Sequence, residues 1–241
     1  MNYLKSEHLK FKRTILNKLI FIIPSITAIF AWIVGGFIGF QYMAFYWWYA
    51  FLLPGTIAIF CSLSHHKEEN AGKYYSVFSM PISLPGFEAA KAFILVEKLL
   101  IMAIFLAILI SVSNLIAPAT VVYSVMQSVL GSIGIILSSI WQIPLYLYLT
   151  RKTGFFLPIM INVLLGIFLP SALGNTAIWW LIPHCWAAKL ARSLMGIELN
   201  GTFAKDAEPS ITIFVSVALS MLLFIALMFM DAKDFSRKEI K

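Results

Sequence analysis

Long apolar runs alternate with short polar stretches from one end of this chain to the other. Six runs lie near Leu19–Phe40, Trp48–Ser64, Phe93–Ala117, Tyr123–Leu149, Gly154–Gly174 and Ser210–Met230. A helix needs about 20 apolar residues to cross a hydrocarbon core about 30 Å thick. Backbone polar groups in lipid must be satisfied within their own segment, so each run is predicted to be a transmembrane helix. A barrel would require alternating strands of about ten residues, a pattern the chain lacks. The predicted fold is all-α and integral to the membrane: one domain over residues 1–241 with six transmembrane helices. Residues 1–18 precede the first span, and residues 175–209 form the longest loop between spans.

Composition supports this. The apolar fraction is 61%, charged residues make up 12%, and the mean hydropathy is +0.88, whereas soluble domains carry about 25% charged residues. A net charge of +7 in a soluble protein would suggest nucleic acid; here it is explained by topology, and no nucleic-acid partner is expected. Fifteen of the 18 basic residues fall in four segments: residues 1–18, residues 65–98, the Arg151-Lys152 turn, and the tail from Lys233. Only Lys189, Arg192 and Lys205 lie on the other side. Positive-inside bias places the four segments, and both termini, in the cytoplasm. The first run is too long for a signal-peptide core. Cys61 and Cys185 match neither a metal-ligand spacing nor a disulfide framework.

Several local features refine the expectation. Leu4, Phe11, Ile15 and Leu19 share a helical face opposite Lys5, Lys10, Lys12 and Arg13, as in a helix lying in the inner headgroup layer. Gly35 and Gly39 form a GxxxG, and Ser124, Ser128 and Ser132 recur every fourth residue beside Gly131 and Gly134; both stripes permit close helix approach. Pro24, Pro54, Pro144 and Pro158 are expected to bend or interrupt their helices. Tyr46-Trp47-Trp48-Tyr49 and the group Trp179, Trp180 and Trp186 read as aromatic belts at the outer boundary. The cytoplasmic stretch 65–92 places Tyr74, Tyr75 and Phe78 after a charged run, as a knob for a partner's groove or as a patch resting on the membrane surface. The outer stretch 175–209 is apolar enough to re-enter the leaflet, which requires that protein or water satisfy its backbone.

No catalytic residue and no metal site emerge. The chain has neither GxxxxGK[ST] nor HExxH. His65-His66-Lys67-Glu68-Glu69 reads as a solvated charge cluster rather than a ligand set. Ser132 between glycines reads as packing, with an intramembrane hydrolase built on Ser132 or on Glu68 and Glu69 as the competing reading. The predicted spans carry no ionisable residue away from their ends, which argues against ion-coupled transport.

The architecture resembles the ABC-2 type permease, with an interfacial N-terminal helix, a cytoplasmic coupling loop after the second span and a re-entrant outer loop before the sixth. Ser6-Glu7-His8-Leu9-Lys10-Phe11-Lys12-Arg13-Thr14, Tyr46-Trp47-Trp48-Tyr49 with Leu52-Leu53-Pro54-Gly55, and Ser79-Met80-Pro81-Ile82-Ser83 with Lys91 narrow it. Together they resemble the permease subunits of lantibiotic self-immunity exporters of the nisin, epidermin and mutacin type, over roughly residues 1–115. That resemblance implies a bacterial plasma-membrane subunit paired with a second, homologous permease and with two copies of a separate ABC ATPase. ATP would be bound on the ATPase, with no cofactor on this chain. The substrate would be a lantibiotic, a cationic amphipathic peptide expelled outward from the lipid bilayer. Glu68, Glu69, Tyr74, Tyr75 and Phe78 would lie at the ATPase-coupling loop, and Trp179, Trp180 and Trp186 at the outer exit wall. A permease for another antibiotic or a lipid, and a passive protein that sequesters peptide, are the remaining readings.

Overall fold

In the computed structural model, which describes residues 3–11, 14–72, 74–79, 83–204 and 209–237, the apolar runs fold into helices. Lys12, Arg13, Met80, Pro81, Ile82 and Lys205, named above, lie outside those residues, as do Lys73, Lys238 and Lys241 among the basic residues counted there. The helices are α1 (Tyr3–Phe11), α2 (Ile15–Trp47), α3 (Leu53–Asn70), α4 (Tyr75–Phe78), α5 (Leu84–Ile116), α6 (Val125–Leu137), α7 (Gln142–Thr153), α8 (Phe156–Leu173), α9 (Cys185–Met195) and α10 (Ile211–Arg237). Among the described residues, four stretches are long and apolar enough to cross a membrane: Ile15–Asn70, Leu84–Ile116, Phe156–Leu173 and Ile211–Ser236. A fifth appears if α6 and α7, bent by 44° at their break, are taken together.

The first of these stretches is not a single rod. Gly36 holds φ 57 and ψ −157 inside α2, a region essentially restricted to glycine. The rings of Phe30 and Trp47 nevertheless meet at 5.0 Å. A straight helix would carry those residues about 25 Å apart, so α2 folds back on itself at Gly36. This corrects the predicted span Leu19–Phe40, which ran through the corner. It also changes the meaning of the GxxxG: Cβ atoms at Gly35 and Gly39 would meet Met43 and Tyr42 of the same hairpin, so these glycines shape a corner rather than a contact with another helix.

After the corner the chain runs through a π-helical turn, Trp48–Leu52, directly into α3. Trp48 is fully buried and Tyr49 nearly so, which corrects their reading as an interfacial belt. The predicted second span, Trp48–Ser64, was short because the hydropathy pattern does not see the extension of α3 to Asn70, whose last turns are polar but still helical. In the same way α5 begins at Leu84 rather than Phe93, leaving only residues 71–83 between α3 and α5. Ser124 does not belong to the packing stripe; it caps α6, accepting from the Gln127 N–H. Ser128 and Ser132 are buried, and α9 packs onto α6 where Gly131 faces Met195 and Gly134 faces Leu190.

The bundle has two distinct ends. At one, Tyr3 accepts from the Ser83 N–H, Lys10 reaches Glu68, and Arg151 joins Glu88 to Asp231. At the other, Gln41 ties α2 to the α5–α6 connection. Its Oε1 accepts from the Val122 and Tyr123 N–H groups, at 2.8 Å each, and its Nε2 donates to Ser113 and Asn114. Tyr49 reaches the Glu198 carbonyl there. Both ends of the described chain, α1 and the close of α10, therefore stand at the charged end.

Candidate functional site

The charged end is built from side chains that no single helix could assemble. Glu88 and Lys91 are one turn apart on the first turns of α5, with Lys91 Nζ 3.1 Å from Glu88 Oε1. Arg151, at the end of α7, donates one guanidinium nitrogen to Glu88 Oε2 at 3.1 Å and the other to Asp231 Oδ1 of α10. All four side chains are almost completely buried. Buried charges persist only when paired and hydrogen-bonded, and a guanidinium can serve two carboxylates at once because its donors fan out in a rigid plane.

An aromatic layer lies against this network. Phe235 packs against Tyr74 at 5.4 Å, Phe78 at 5.4 Å and Phe87 at 6.1 Å. Lys91 Nζ sits 5.2 Å from the Tyr74 ring and 4.7 Å from that of Phe87, while Arg151 stands 5.3 Å from Phe235. Cations over aromatic faces are attracted by the ring quadrupole. Tyr74 adopts φ 65, a left-handed conformation uncommon for a residue with a Cβ, and so turns its ring inward. There its hydroxyl lies 2.8 Å from His65 Nδ1, and burial pushes its pKa up to about 12.

A second ion cluster pins α1 to the same face. Lys10 Nζ contacts Glu7 at 2.7 Å and Glu68 at 2.6 Å, and Lys67 donates to the Lys10 carbonyl. Burial pushes the Glu7 carboxyl above its ordinary pKa, and the neighbouring Lys10 ammonium pulls it partly back.

The five residues assigned by resemblance to coupling therefore divide. Glu68, Tyr74 and Phe78 face inward, holding α1, α4 and α10 together. Glu69, with its side chain 52% exposed beside His65, and Tyr75, 73% exposed, face outward. The three tryptophans of the outer loop divide too. Trp186 is buried, its Nε1 donating to the Trp180 carbonyl at 2.9 Å and its ring 6.1 Å from Trp141. Trp179 is half-buried with Lys189 Nζ 5.6 Å from its ring, and Trp180 is 48% exposed.

A polar cluster deeper in the bundle escaped the sequence reading. Asn162 of α8 donates to the Pro54 carbonyl at 2.7 Å and to Gln142 Oε1 at 2.8 Å, and its Oδ1 lies 3.2 Å from His184 Nε2. It joins the break before α3, the break between α6 and α7, and the outer loop. Burial lowers the His184 pKa to about 4, so the ring is neutral at pH 7. No sequence spacing links residues 54, 142, 162 and 184. In the charged network only the Glu88–Lys91 pair had a local signature, since charges three residues apart share a helix face.

The hydrolase reading of Ser132 finds no support in its surroundings. Ser132 Oγ is buried without a hydrogen-bond partner, so no general base touches it, as an activated nucleophile requires. Among the described residues no group of His, Cys, Asp and Glu is arranged to hold a metal ion.

The comparisons with known proteins agree with this geometry. Residues 3–169 match the family described as ABC-2 family transporter protein. No curated protein and no solved structure matches the chain. With most of its length covered by that one match and its long apolar helices gathered in one bundle, the chain belongs to the ABC-2 family of transporter proteins and is a multi-pass membrane protein.

Proposed function

We propose that this ABC-2 membrane protein is the permease subunit of an exporter that expels a lantibiotic from the membrane. A separate ABC ATPase would drive it, and a second, homologous permease would stand beside it. The observation that carries the reading is the charged end. There Lys10 ties α1 to the end of α3 and lies over the Phe87 ring of α5, Arg151 of α7 joins α5 to α10 by ion pairs, and Phe78 of α4 packs on the Phe235 ring of α10. Glu69 and Tyr75 are left facing outward from that rigid floor, where a push from a soluble partner would reach several membrane helices at once. The peptide substrate rests on the likeness of the 6–14, 46–55 and 79–91 motifs to lantibiotic self-immunity permeases. Trp180, with the half-buried Trp179 beside it, supplies aromatic surface at the opposite end, and Trp186 supports them from within.

In this reading the hairpin at Gly36 and the bent pair α6–α7 bring the number of crossings to six, with the charged end in the cytoplasm as its basic residues require. Single cysteines at positions 75 and 200, in a background lacking Cys61 and Cys185, test it in intact cells. A membrane-impermeant thiol reagent is expected to label position 200 and to spare position 75; the reverse pattern would invert the topology.

Function is tested separately. Glu69→Lys with Tyr75→Ala is expected to remove ATPase co-purification and peptide resistance at unchanged expression. Full retention of both would remove these residues from the interface. A resistance panel spanning lantibiotics, cell-wall antibiotics and lipid-active compounds decides the substrate class, and protection confined to a non-peptide class overturns the lantibiotic assignment.

A further inference from the structure

The short helix α4 is held against the bundle partly from α3, where the ring of His65 stands between two groups of different character. Its Nδ1 lies 2.8 Å from the Tyr74 hydroxyl, and its Nε2 lies 3.6 Å from Glu69 Oε2, one turn further along α3. A neutral imidazole serves both by accepting from the hydroxyl and turning its single N–H toward the carboxylate. The rings of His65 and Tyr74 also stack, at 5.7 Å and 22°. The His65 side chain is 13% exposed, whereas that of Glu69 is 52% exposed. One ring therefore joins a carboxylate at the surface to the left-handed residue that leads into α4.

The charges around that ring come from several helices. Glu69, on α3, favours a proton on it. His66, also on α3, brings Nδ1 to 3.9 Å from the same Glu69 oxygen, and its ring lies 6.2 Å from Phe155. From α5, Lys91 Nζ stands 5.2 Å from the Tyr74 ring and opposes a second cation there, but Glu88 answers it at 3.1 Å. Arg151 of α7 and Asp231 of α10 lie beyond Glu88 and are paired with each other.

We propose that His65 is a pH-sensitive latch for α4, closed when its ring is protonated. Imidazole changes charge between about pH 5 and 8. Protonation keeps both contacts and strengthens each. Once the Tyr74 hydroxyl has rotated, Nδ1–H donates to its oxygen as a charge-assisted bond, and Nε2–H faces Glu69 as a full ion pair. The stacked imidazolium also gains the attraction of the phenol face. Opening α4 weakens all three together, so the closed arrangement holds the extra proton more tightly than the open one, and acidification populates it. The consequence for docking rests on the interface proposed above. A closed latch engages Glu69 and fixes Tyr75, so a basic group on a partner meets a weaker counter-ion at pH 6 than at pH 8.

A nitroxide spin label on Tyr75→Cys, in the background lacking Cys61 and Cys185, reads the latch in the full-length protein reconstituted without partners. The ratio of immobile to mobile label is expected to rise about threefold from pH 8 to pH 6, the effect of one partly exposed ion pair. His65→Gln can still hydrogen-bond to Tyr74 but cannot take the charge, and is expected to remove the response. Glu69→Gln, an exposed change that leaves the packing intact, is expected to weaken it, and His66→Gln to keep it. No response to pH, or greater mobility at pH 6, overturns the proposal. So does a response untouched by His65→Gln or, should that variant not fold, by Glu69→Gln. Loss of the response in His66→Gln moves the switch to that ring and equally overturns it. The measurement involves no ATPase and no transport, so its failure leaves the exporter reading standing.

Discussion

Replacing Arg151 with Met is expected to destabilise the fold by about 3–5 kcal/mol, the usual result of stripping a buried charge of its partner. Among the described residues, Arg151 is the one cation contacting both Glu88 and Asp231. Without it Glu88 still has Lys91, 3.1 Å away, but Asp231 is left as a buried carboxylate with no counter-ion. The rescue follows from that asymmetry. Adding Asp231→Asn to Arg151→Met removes the stranded charge and leaves Glu88–Lys91 as a neutral pair, so the double variant is expected to recover most of the loss. SDS titration of the purified protein, followed by tryptophan fluorescence, gives both numbers. A single variant that loses less than about 1 kcal/mol, or a double variant weaker than the single, would show that the network does not hold the charged end together. Because Phe235 and Tyr74 lie against the same ions, a loosened network should also free α4, and with it the outward residues proposed to meet the ATPase.

The second large effect lies away from the charges. Asn162→Leu keeps the number of side-chain heavy atoms and makes a membrane helix more apolar, so by hydropathy alone it should be harmless. It is expected to be destabilising instead, because Gln142, His184 and the Pro54 carbonyl would each lose a partner, at about 1–3 kcal/mol for each group left unsatisfied in the interior. Ile161→Leu, one position away on the same helix, serves as the control and is expected to change stability by under about 1.5 kcal/mol. If the two variants behave alike in the same SDS titration, the cluster is not a structural pin. Since Asn162 joins two helix breaks to the outer loop, a partial loss should also speed proteolysis within residues 175–204 before the rest of the bundle opens.

What was legible in the chain, and what was not, divides by the range of the forces involved. Solvent choice is a property of composition: with 61% apolar residues and few charges, the chain can bury itself only in lipid, and lipid permits only closed hydrogen bonding. Helices and their approximate positions follow from that, as does the expectation, from the summed basic residues, that one end faces the cytoplasm. The order of spans and loops along the chain was enough to point to the ABC-2 family, because that order is written in the hydropathy and charge pattern.

The corner at Gly36 was not legible, because a glycine in an apolar run signals a reversal only when a folded partner, here Trp47 against Phe30, shows where the chain goes next. Trp48 looked interfacial because an aromatic suits both a membrane boundary and a core, and only packing chooses between them. The inward turn of Tyr74 and the outward turn of Tyr75, neighbours in one assigned patch, were decided by Lys91, His65 and Phe235. The same holds for the two clusters on which stability is predicted to depend. Arg151 read as a topology signal and Asn162 as nothing at all, since their partners come from helices 63 and 108 positions away. Sequence therefore set which solvent, which secondary structure and which family. The tertiary structure alone decided which polar groups meet, because pairing in the interior is fixed by where whole helices come to rest and not by what stands beside a residue along the chain.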